Sequence, residues 1–182
     1  MQTTVPWKTF AAGFAMVMAA STSQGLAAQN AAERVASHGD WSVFVVADPK
    51  ECYIVAQPSS STARRDGRNV EVNRGDIRLF VRFNPAESVA GEVSFTGGYP
   101  FREATPVKVE IGSASFDLAP GLGDANGWAW PRPEDDAKMV DAMRRGASAT
   151  ITGVSTRGTT TIDTVSLTGF TASVNDAAAR CN

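Results

Sequence analysis

Short stretches in which apolar and polar residues alternate recur along this chain. In residues 77–83, Ile77, Leu79, Val81 and Phe83 are separated by mostly polar residues. Successive side chains of a strand point to opposite faces, so this period of two predicts a strand with one buried face. Alternating, β-branched or aromatic composition predicts further strands at residues 41–47, 51–57, 70–72, 89–95, 107–111, 114–118, 128–130, 147–154 and 159–167.

Turn residues and two helical patterns divide these strands. Asp48-Pro49-Lys50 is typical of a turn and predicts that strands 41–47 and 51–57 form a hairpin, whereas the Ser- and Arg-rich residues 58–68 predict a flexible loop. Residues 131–146 predict a helix, because acids stand at its start, Arg144 and Arg145 at its end, and Gly146 at the left-handed position after it. Ala-rich residues 169–180 predict a second, short helix. The expected fold is a mainly β, single domain: an antiparallel β-sandwich, or a barrel-like sheet, with one or two short helices.

The first 27 residues have the order of a secretory signal peptide. Lys8 precedes an apolar run at residues 10–20, and small residues follow at 25–28. The alternative, a membrane anchor, needs about 20 apolar residues, and the polar residues 21–24 interrupt the run. We therefore expect a cleaved signal at residues 1–27, a linker at 28–38, a β domain at 39–182 and no membrane-spanning segment after cleavage.

Two cysteines stand near the ends of the expected mature domain. Cys52 and Cys181 can pair in only one way, and an exported chain meets an oxidising compartment. Free thiols or a metal pair are the alternatives, although zinc normally takes four ligands and the spacing is not that of a redox motif. The sequence favours a structural disulfide.

Charge and motifs exclude several functions. Cleavage of the signal, which contains one lysine and no acid, moves the net charge from −2 to −3, so nucleic acid is not an expected partner. The only histidine, His38, precedes the expected domain, so a Ser-His-Asp triad lacks a base. Phosphate-loop and dinucleotide-binding motifs are absent, and no cofactor is predicted.

Three other patterns have a simpler structural interpretation. Asp135 and Asp136 are better explained as helix-start charges than as an acid/base pair. The Gly-rich residues 120–127 resemble a calcium loop but lack further oxygen ligands at the required spacing, so no metal is predicted. Arg74-Gly75-Asp76 spells an adhesion tripeptide, but such a short match also fits an ordinary turn before a strand.

Trp128 and Trp130 are the most informative aromatic residues. A spacing of two places both on the same side of a strand. Packing in the core is one interpretation, since tryptophan dominates core burial. The other is a partner-binding patch beside the Gly-rich loop.

Several motifs together resemble a known family. They are Gly39-Asp40-Trp41, Glu51-Cys52-Tyr53-Ile54, Gly98-Tyr99-Pro100, Ala129-Trp130 before a helix, Ser155-Thr156-Arg157-Gly158-Thr159, the block from Asp163 to Ala172, and the closing Cys181. In this order they resemble the invasion-associated locus B family of exported bacterial proteins. The resemblance runs from about Gly39 to Cys181 and is most specific in the C-terminal block.

That resemblance implies a β-sandwich protein of the periplasm or the outer envelope surface, in a family whose namesake is linked to host-cell invasion. The family has no established catalytic residues. Arg157 is a further candidate for partner binding, although an ion pair with Asp163 that pins a hairpin is the simpler interpretation.

The expected function is that of a non-enzymatic exported protein that binds a protein partner of the envelope or of a host surface. Trp128, Trp130 and Arg157 are the candidate binding residues. The alternatives are a periplasmic domain that binds a small molecule or glycan through the two tryptophans, and a hydrolase with an unrecognised site.

Overall fold

A computed structural model describes residues 31–182, so the predicted signal at residues 1–27 lies outside the described residues. Within them the chain forms twelve strands and two α-helices. In chain order they are β1 (Glu33–His38), β2 (Trp41–Val46), β3 (Glu51–Ala56), β4 (Ser60–Arg65), β5 (Arg68–Asn69), β6 (Arg78–Asn84), β7 (Val89–Thr96), β8 (Val107–Ile111), β9 (Ala114–Pro120), β10 (Trp128–Trp130), α1 (Pro133–Arg145), β11 (Ser148–Val154), β12 (Thr160–Ser166) and α2 (Phe170–Arg180).

All twelve strands belong to one open sheet in the order β1-β2-β3-β6-β7-β10-β9-β8-β11-β12-β4-β5. Each neighbouring pair is antiparallel, and the predicted hairpin is present as β2 paired with β3. We call β1, β2, β3, β6, β7 and β10 the first half-sheet, and β9, β8, β11, β12, β4 and β5 the second half-sheet. The predicted mainly β, antiparallel domain with two short helices is confirmed, and the sheet is open at β1 and β5.

The inner faces of the two half-sheets share one core. Fully buried Val43, Ile54 and Val81 of the first half-sheet lie in the same apolar cluster as Val109 and Ile151 of the second. Strict alternation explains this, since β8 is buried, exposed, buried, exposed, buried along its five residues. The half-sheets therefore each bury one face and leave the other to solvent.

Trp41 of the first half-sheet contacts both α2 and the second half-sheet. Its ring meets Phe170 of α2 edge-to-face at 5.0 Å between centroids. Its indole N–H donates to the backbone oxygen of Ser166 on β12 at 3.0 Å. A buried indole needs such a partner, so Trp41 is a core residue with its one polar group satisfied.

The predicted disulfide joins Cys52 on β3 to Cys181 directly after α2. The two Cα atoms are 5.9 Å apart, and both residues are buried. The bond closes a sequence separation of 129 residues, so it ties the C-terminal helix to the first half-sheet. None of the helices in residues 31–182 is long and apolar enough to cross a membrane.

Two segments that were expected to lack regular structure contain strands. Glu33–His38, placed in the expected linker 28–38, is β1 and pairs with β2. A register shift between Arg34 and Ala36 breaks the alternation that would have revealed it. The expected loop 58–68 contains β4, where only Ala63 is buried, so its polar composition hid a strand formed by pairing with β12.

Two further expectations are wrong. Residues 70–72 are not a strand. Gly146 has φ −84° and ψ 159°, which is extended and not left-handed. A Cβ at this glycine would lie 2.6 Å from Ile111 Cγ2 and 3.0 Å from Leu167 Cδ1, so the position requires a small residue for close packing after α1.

Candidate functional site

A row of aromatic side chains crosses the outer face of the first half-sheet. It consists of Phe44 on β2, Tyr53 on β3, Phe80 on β6, and Trp128 and Trp130 on β10, and we call these five residues the aromatic row. In each strand at least one neighbouring inward residue is buried, and the ring-bearing residues are half-buried. Period-two alternation therefore directs all five rings to the solvent side.

The rings form a continuous chain of contacts. Phe44 stacks on Tyr53 with centroids 5.1 Å apart, and Tyr53 lies 5.9 Å from Phe80. Phe80 lies 5.5 Å from Trp128, and Trp128 stacks on Trp130 at 6.2 Å with 22° between the ring planes. These separations fall in the range of favourable aromatic pairs, so the rings partly bury one another.

Small residues on β7 allow the row to cross that strand. β7 lies between β6 and β10, with Ser94 opposite Phe80 and Thr96 opposite Trp128. Because neither side chain is large, the phenyl and indole rings meet above the strand. Ala129, between the two tryptophans, is fully buried on the inner face.

A charged cluster lies against the row. Arg82 donates to Glu51 at 3.0 Å, to Glu87 at 2.7 Å and to Glu92 at 3.1 Å, with a different guanidinium nitrogen for each carboxylate. Burial alone would lower the pKa of Arg82, but the hydrogen bonds to Glu87 and Glu51 raise it above its ordinary value. Arg82 is therefore a fixed cation that the three carboxylates surround.

A shallow cleft of about 540 Å³ lies between most of the row and this cluster. Its lining includes Tyr53, Phe80, Trp128 and Trp130 of the row, Glu51, Arg82 and Glu92 of the cluster, and Asp124 of the Gly-rich loop. Burial, and next the Glu51 carboxylate, raise the pKa of Tyr53 above its ordinary value. Tyr53 therefore stays a neutral phenol at physiological pH. The site offers ring faces, one phenol and an excess of carboxylates, and this composition suits binding.

The outer face of the second half-sheet has a different composition. Its outward residues are mostly threonine, serine and charged side chains, namely Thr62, Arg64, Lys108, Glu110, Ser115, Asp117, Thr150, Thr152, Thr160, Ile162 and Thr164. This composition is the ordinary one for the wet side of an antiparallel sheet. The aromatic row is therefore not a general requirement of this fold.

The structure bears on the core-packing interpretation of Trp128 and Trp130. Both are half-buried on the outer face, so packing in the core is wrong for this pair. Trp41, in contrast, is 1% exposed and belongs to the core. On the outer face the pair is continuous with Phe44, Tyr53 and Phe80, and partner binding by the pair stays a prediction.

Arg157 does not join the two tryptophans. It is exposed in the turn between β11 and β12 and lines a separate cleft with Arg65, Tyr99 and Thr156. The expected ion pair of Arg157 with Asp163 is wrong, because Asp163 faces inward on β12 and pairs with a different arginine.

That arginine is Arg74, from the segment between β5 and β6. Its two terminal nitrogens donate to the two carboxylate oxygens of Asp163 at 2.8 and 2.7 Å, and its Nε donates to Gly97 O at 2.9 Å. The guanidinium lies over the ring of Tyr99, 5.1 Å from the centroid. The side chains of Arg74 and Asp163 are 8% and 0% exposed, so this is a buried, bidentate ion pair.

The same pair removes the basis for the adhesion interpretation of Arg74-Gly75-Asp76. The arginine of that tripeptide is turned inward to Asp163, and Asp76 pairs with Arg78 at 2.6 Å. An adhesion tripeptide must present both charges to a receptor. This one uses its arginine to hold the fold.

The two acids at the start of α1 have separate structural roles. Asp135 forms ion pairs with Lys138 at 2.7 Å and Arg132 at 2.9 Å. Asp136 accepts a hydrogen bond from the backbone N–H of Val93 on β7 at 2.8 Å. Neither arrangement is that of a general acid facing a general base. Residues 31–182 contain no group of three or more His, Cys, Asp or Glu side chains that could hold a metal ion.

The comparisons with known proteins agree with the resemblance in the sequence. The model of the family described as invasion associated locus B (IalB) protein matches residues 101–178. The crystal structure of invasion associated protein B from Bartonella henselae is similar, with a TM-score of 0.56 and 19% identity over 82% of this chain and 96% of that chain. No curated protein sequence matches this chain.

At this identity the structural likeness shows the fold alone, and it extends over most of the chain. The family match adds the sequence of the C-terminal part, which contains β8, β9, β10, α1, β11, β12 and most of α2. The resemblance to the invasion associated locus B family is thus confirmed, by sequence over residues 101–178 and by fold over most of the chain.

Proposed function

We propose that this chain is a non-enzymatic, exported envelope protein that binds a protein partner through the aromatic row. The observation that carries the proposal is the row itself, five rings on the outer face of one half-sheet while the other half-sheet has an ordinary polar face. Contiguous exposed apolar surface rimmed by polar residues is typical of interaction sites.

The chemistry of the row fits a protein interface. Tryptophan, tyrosine and arginine are the residues that most often dominate binding energy at such interfaces. The row offers Trp128, Trp130 and Tyr53, and Arg82 lies beside them. The rings also hold one another in place, so a partner would meet a preorganised surface and immobilise few side chains on binding.

An extracytoplasmic location is part of the proposal. The disulfide between Cys52 and Cys181 is of a kind that persists in oxidising compartments. The predicted signal at residues 1–27 and the family match point the same way. We place the protein in the periplasm or on the outer envelope surface, where its partner is another envelope protein or a protein of a host surface.

A glycan is the second candidate for the same site. The observation in its favour is the nearly parallel stack of Trp128 on Trp130, with carboxylates of Glu92 and Asp124 in the same cleft. Flat indole faces with nearby hydrogen-bond acceptors suit a sugar ring. The size and chemistry of a captured adduct distinguish the two candidates.

Photo-crosslinking in living cells tests the proposal. Benzoylphenylalanine replaces Tyr53 in the middle of the row, and in a matched variant it replaces Thr152 on the outer face of the second half-sheet. We expect a discrete protein adduct from position 53 and none from position 152. The adduct is then identified, and the purified partner is expected to bind the wild-type chain at least about tenfold more tightly than Trp128→Ala, as a central aromatic anchor would require.

Three results would overturn the proposal. They are an absence of adducts at position 53, equal adducts at both positions, and an identified partner whose affinity does not change with Trp128→Ala. A polysaccharide adduct at position 53 alone would replace the protein partner by the glycan.

A further inference from the structure

The cleft beside the aromatic row carries an excess of negative charge. Glu51, Glu87 and Glu92 surround the single guanidinium of Arg82, which leaves that cluster with a net charge of −2. Asp124 lines the same cleft and, within residues 31–182, forms no ion pair closer than 4.0 Å. Glu51 and Glu92 are partly buried, so solvent screens their field only in part, whereas Glu87 and Asp124 are exposed.

The ring faces of the row are also not occupied by the chain's own cations. Among the described residues the cation over an aromatic ring is Arg74, which covers Tyr99, a residue outside the aromatic row. The three guanidinium nitrogens of Arg82 donate to carboxylates, and its guanidinium does not lie over a ring face. Indole faces attract cations more strongly than other aromatic faces do, and adjacent carboxylates add to that attraction.

The two features together select the charge of the occupant. An acidic segment would place its carboxylates against Glu51, Glu92 and Asp124 and would be repelled. A neutral apolar segment would cover the rings but would partly desolvate Asp124, which has no cation partner among the described residues, and this is unfavourable. A basic segment satisfies both the rings and the carboxylates.

We propose that the occupant of the aromatic row is a basic segment of the partner protein, which lays an arginine or lysine side chain over Trp128 and Trp130 with its charge toward Glu92 and Asp124. This inference rests on the proposed function, because it specifies the partner chemistry of the same site. Complementary charge of this kind sets specificity and association rate more than total affinity.

Peptide titrations followed by NMR test the charge requirement. The probes are three capped hexapeptides that alternate glycine with arginine, with citrulline, or with glutamate; citrulline is the neutral isostere of arginine. The indole N–H signals of Trp128 and Trp130 report on the site, and the signal of the buried Trp41 is the internal control. We expect saturable shifts of the first two signals with the arginine peptide, and affinities at least about fivefold weaker with the citrulline peptide.

Charge variants identify the carboxylates responsible. Glu92→Gln combined with Asp124→Asn removes two acids at the cleft. The matched control, Glu110→Gln combined with Asp117→Asn, removes two acids from the outer face of the second half-sheet and changes the net charge equally. We expect the first variant to weaken binding of the arginine peptide about fivefold or more, and the control to change it less than about twofold.

The inference is wrong if the citrulline or glutamate peptide binds as tightly as the arginine peptide, if no peptide shifts the Trp128 and Trp130 signals, or if both charge variants weaken binding equally. Crosslinking at position 53 separates this failure from failure of the proposed function. If the adduct yield is unchanged in Glu92→Gln/Asp124→Asn, the protein partner is retained and the proposal of a basic segment is rejected. If the wild type gives no adduct, both proposals are rejected.

Discussion

The two half-sheets bury their inner faces in the same way and differ on their outer faces. Each is antiparallel, and each buries alternate residues in the shared core. The second half-sheet then presents mainly threonine, serine and charged residues to solvent, while the first presents the aromatic row. Since the second half-sheet holds together without outward rings, burial of the inner face is sufficient for this fold.

The difference separates residues that the fold needs from residues that it tolerates. Most inward positions are buried, and among the polar ones Asp163 with its partner Arg74 is the extreme case. Outward aromatic positions gain some stability from one another but remain half-exposed. We therefore expect substitutions on the inner face to change the free energy of unfolding strongly, and those on the aromatic row to change it weakly.

The largest effect is expected at Asp163. Asp163→Ala leaves the buried Arg74 guanidinium without its carboxylate, and loss of one partner of a buried pair lowers the free energy of unfolding by about 3–5 kcal/mol. Urea denaturation measures the change. Thr164→Ala, one residue along β12 on the outer face, is the control and should change it by less than about 1 kcal/mol. Equal losses at the two neighbours would contradict the distinction between the faces.

Removal of the disulfide should also have a large effect. Cys52→Ser combined with Cys181→Ser opens a closure of 129 residues and should lower the free energy of unfolding by about 2–5 kcal/mol. Thermal or urea unfolding of this variant should coincide with that of the reduced wild type. If reduction leaves the wild-type transition unchanged, the bond does not constrain the unfolded chain as proposed.

The buried Trp41 and the surface Trp128 allow the same substitution to be compared on the two faces of the first half-sheet. Trp41→Ala should lower the free energy of unfolding by about 3–5 kcal/mol, because it empties a core position and removes the hydrogen bond to Ser166. Trp128→Ala should lower it by only about 1 kcal/mol, since that ring is half-exposed. Both changes are read from urea denaturation. A loss at Trp128 as large as that at Trp41 would make the row part of the fold.

The smallest effect is expected at the start of α1, where the pKa values of two neighbouring acids shift in opposite directions. Burial raises the pKa of Asp136, followed by smaller effects of the hydrogen bond from Val93, which lowers it, and of nearby carboxylates. The folded protein thus binds this proton more tightly than the unfolded chain, so stability from this group is present below its ordinary pKa and is lost as pH rises through the raised value. Asp136→Asn keeps an oxygen to accept from Val93, so at neutral pH it should equal or exceed the wild type, by less than about 1 kcal/mol.

Asp135 is the control of opposite sign. Its ion pairs, first with Lys138 and then with Arg132, hold the pKa of its carboxyl below the ordinary value, although burial acts the other way. Stability from this group is therefore present above the ordinary pKa and is lost as pH falls through the lowered value. Asp135→Asn should be less stable than the wild type at neutral pH, with the difference vanishing in acid. Urea denaturation from acid to neutral pH measures the free energy of unfolding of each variant relative to the wild type. This difference should change with pH in opposite directions for Asp135→Asn and Asp136→Asn.

The sequence predicted most of the fold because most strands bury one face. Alternation marked β6 and β8, and the acids and arginines of residues 134–145 marked α1. It failed for β1, where a bulge breaks the period, and for β4, where five of six residues are exposed and the ladder with β12 alone defines the strand. Pairing between distant segments leaves no local signal in such polar strands.

The site was predicted only in part, for a related reason. Trp128 and Trp130 are two residues apart, so the sequence itself placed them on one side of a strand. Phe44, Tyr53 and Phe80 join them only through the register of β2, β3, β6 and β7, which no local pattern specifies. Outward aromatic residues within the predicted strands were the available signal. The pairing of Arg74 with Asp163, 89 residues apart, had none.

Binding through the aromatic row is best tested by the crosslinking yield at position 53 in the Trp130→Ala background. Trp130 is an end of the aromatic row, and Arg157→Ala in the separate cleft is the matched control. We expect the partner adduct to fall about tenfold or more with Trp130→Ala, as a binding anchor requires, and to stay unchanged with Arg157→Ala, while both variants remain folded. An adduct that survives Trp130→Ala at full yield would contradict binding through the row.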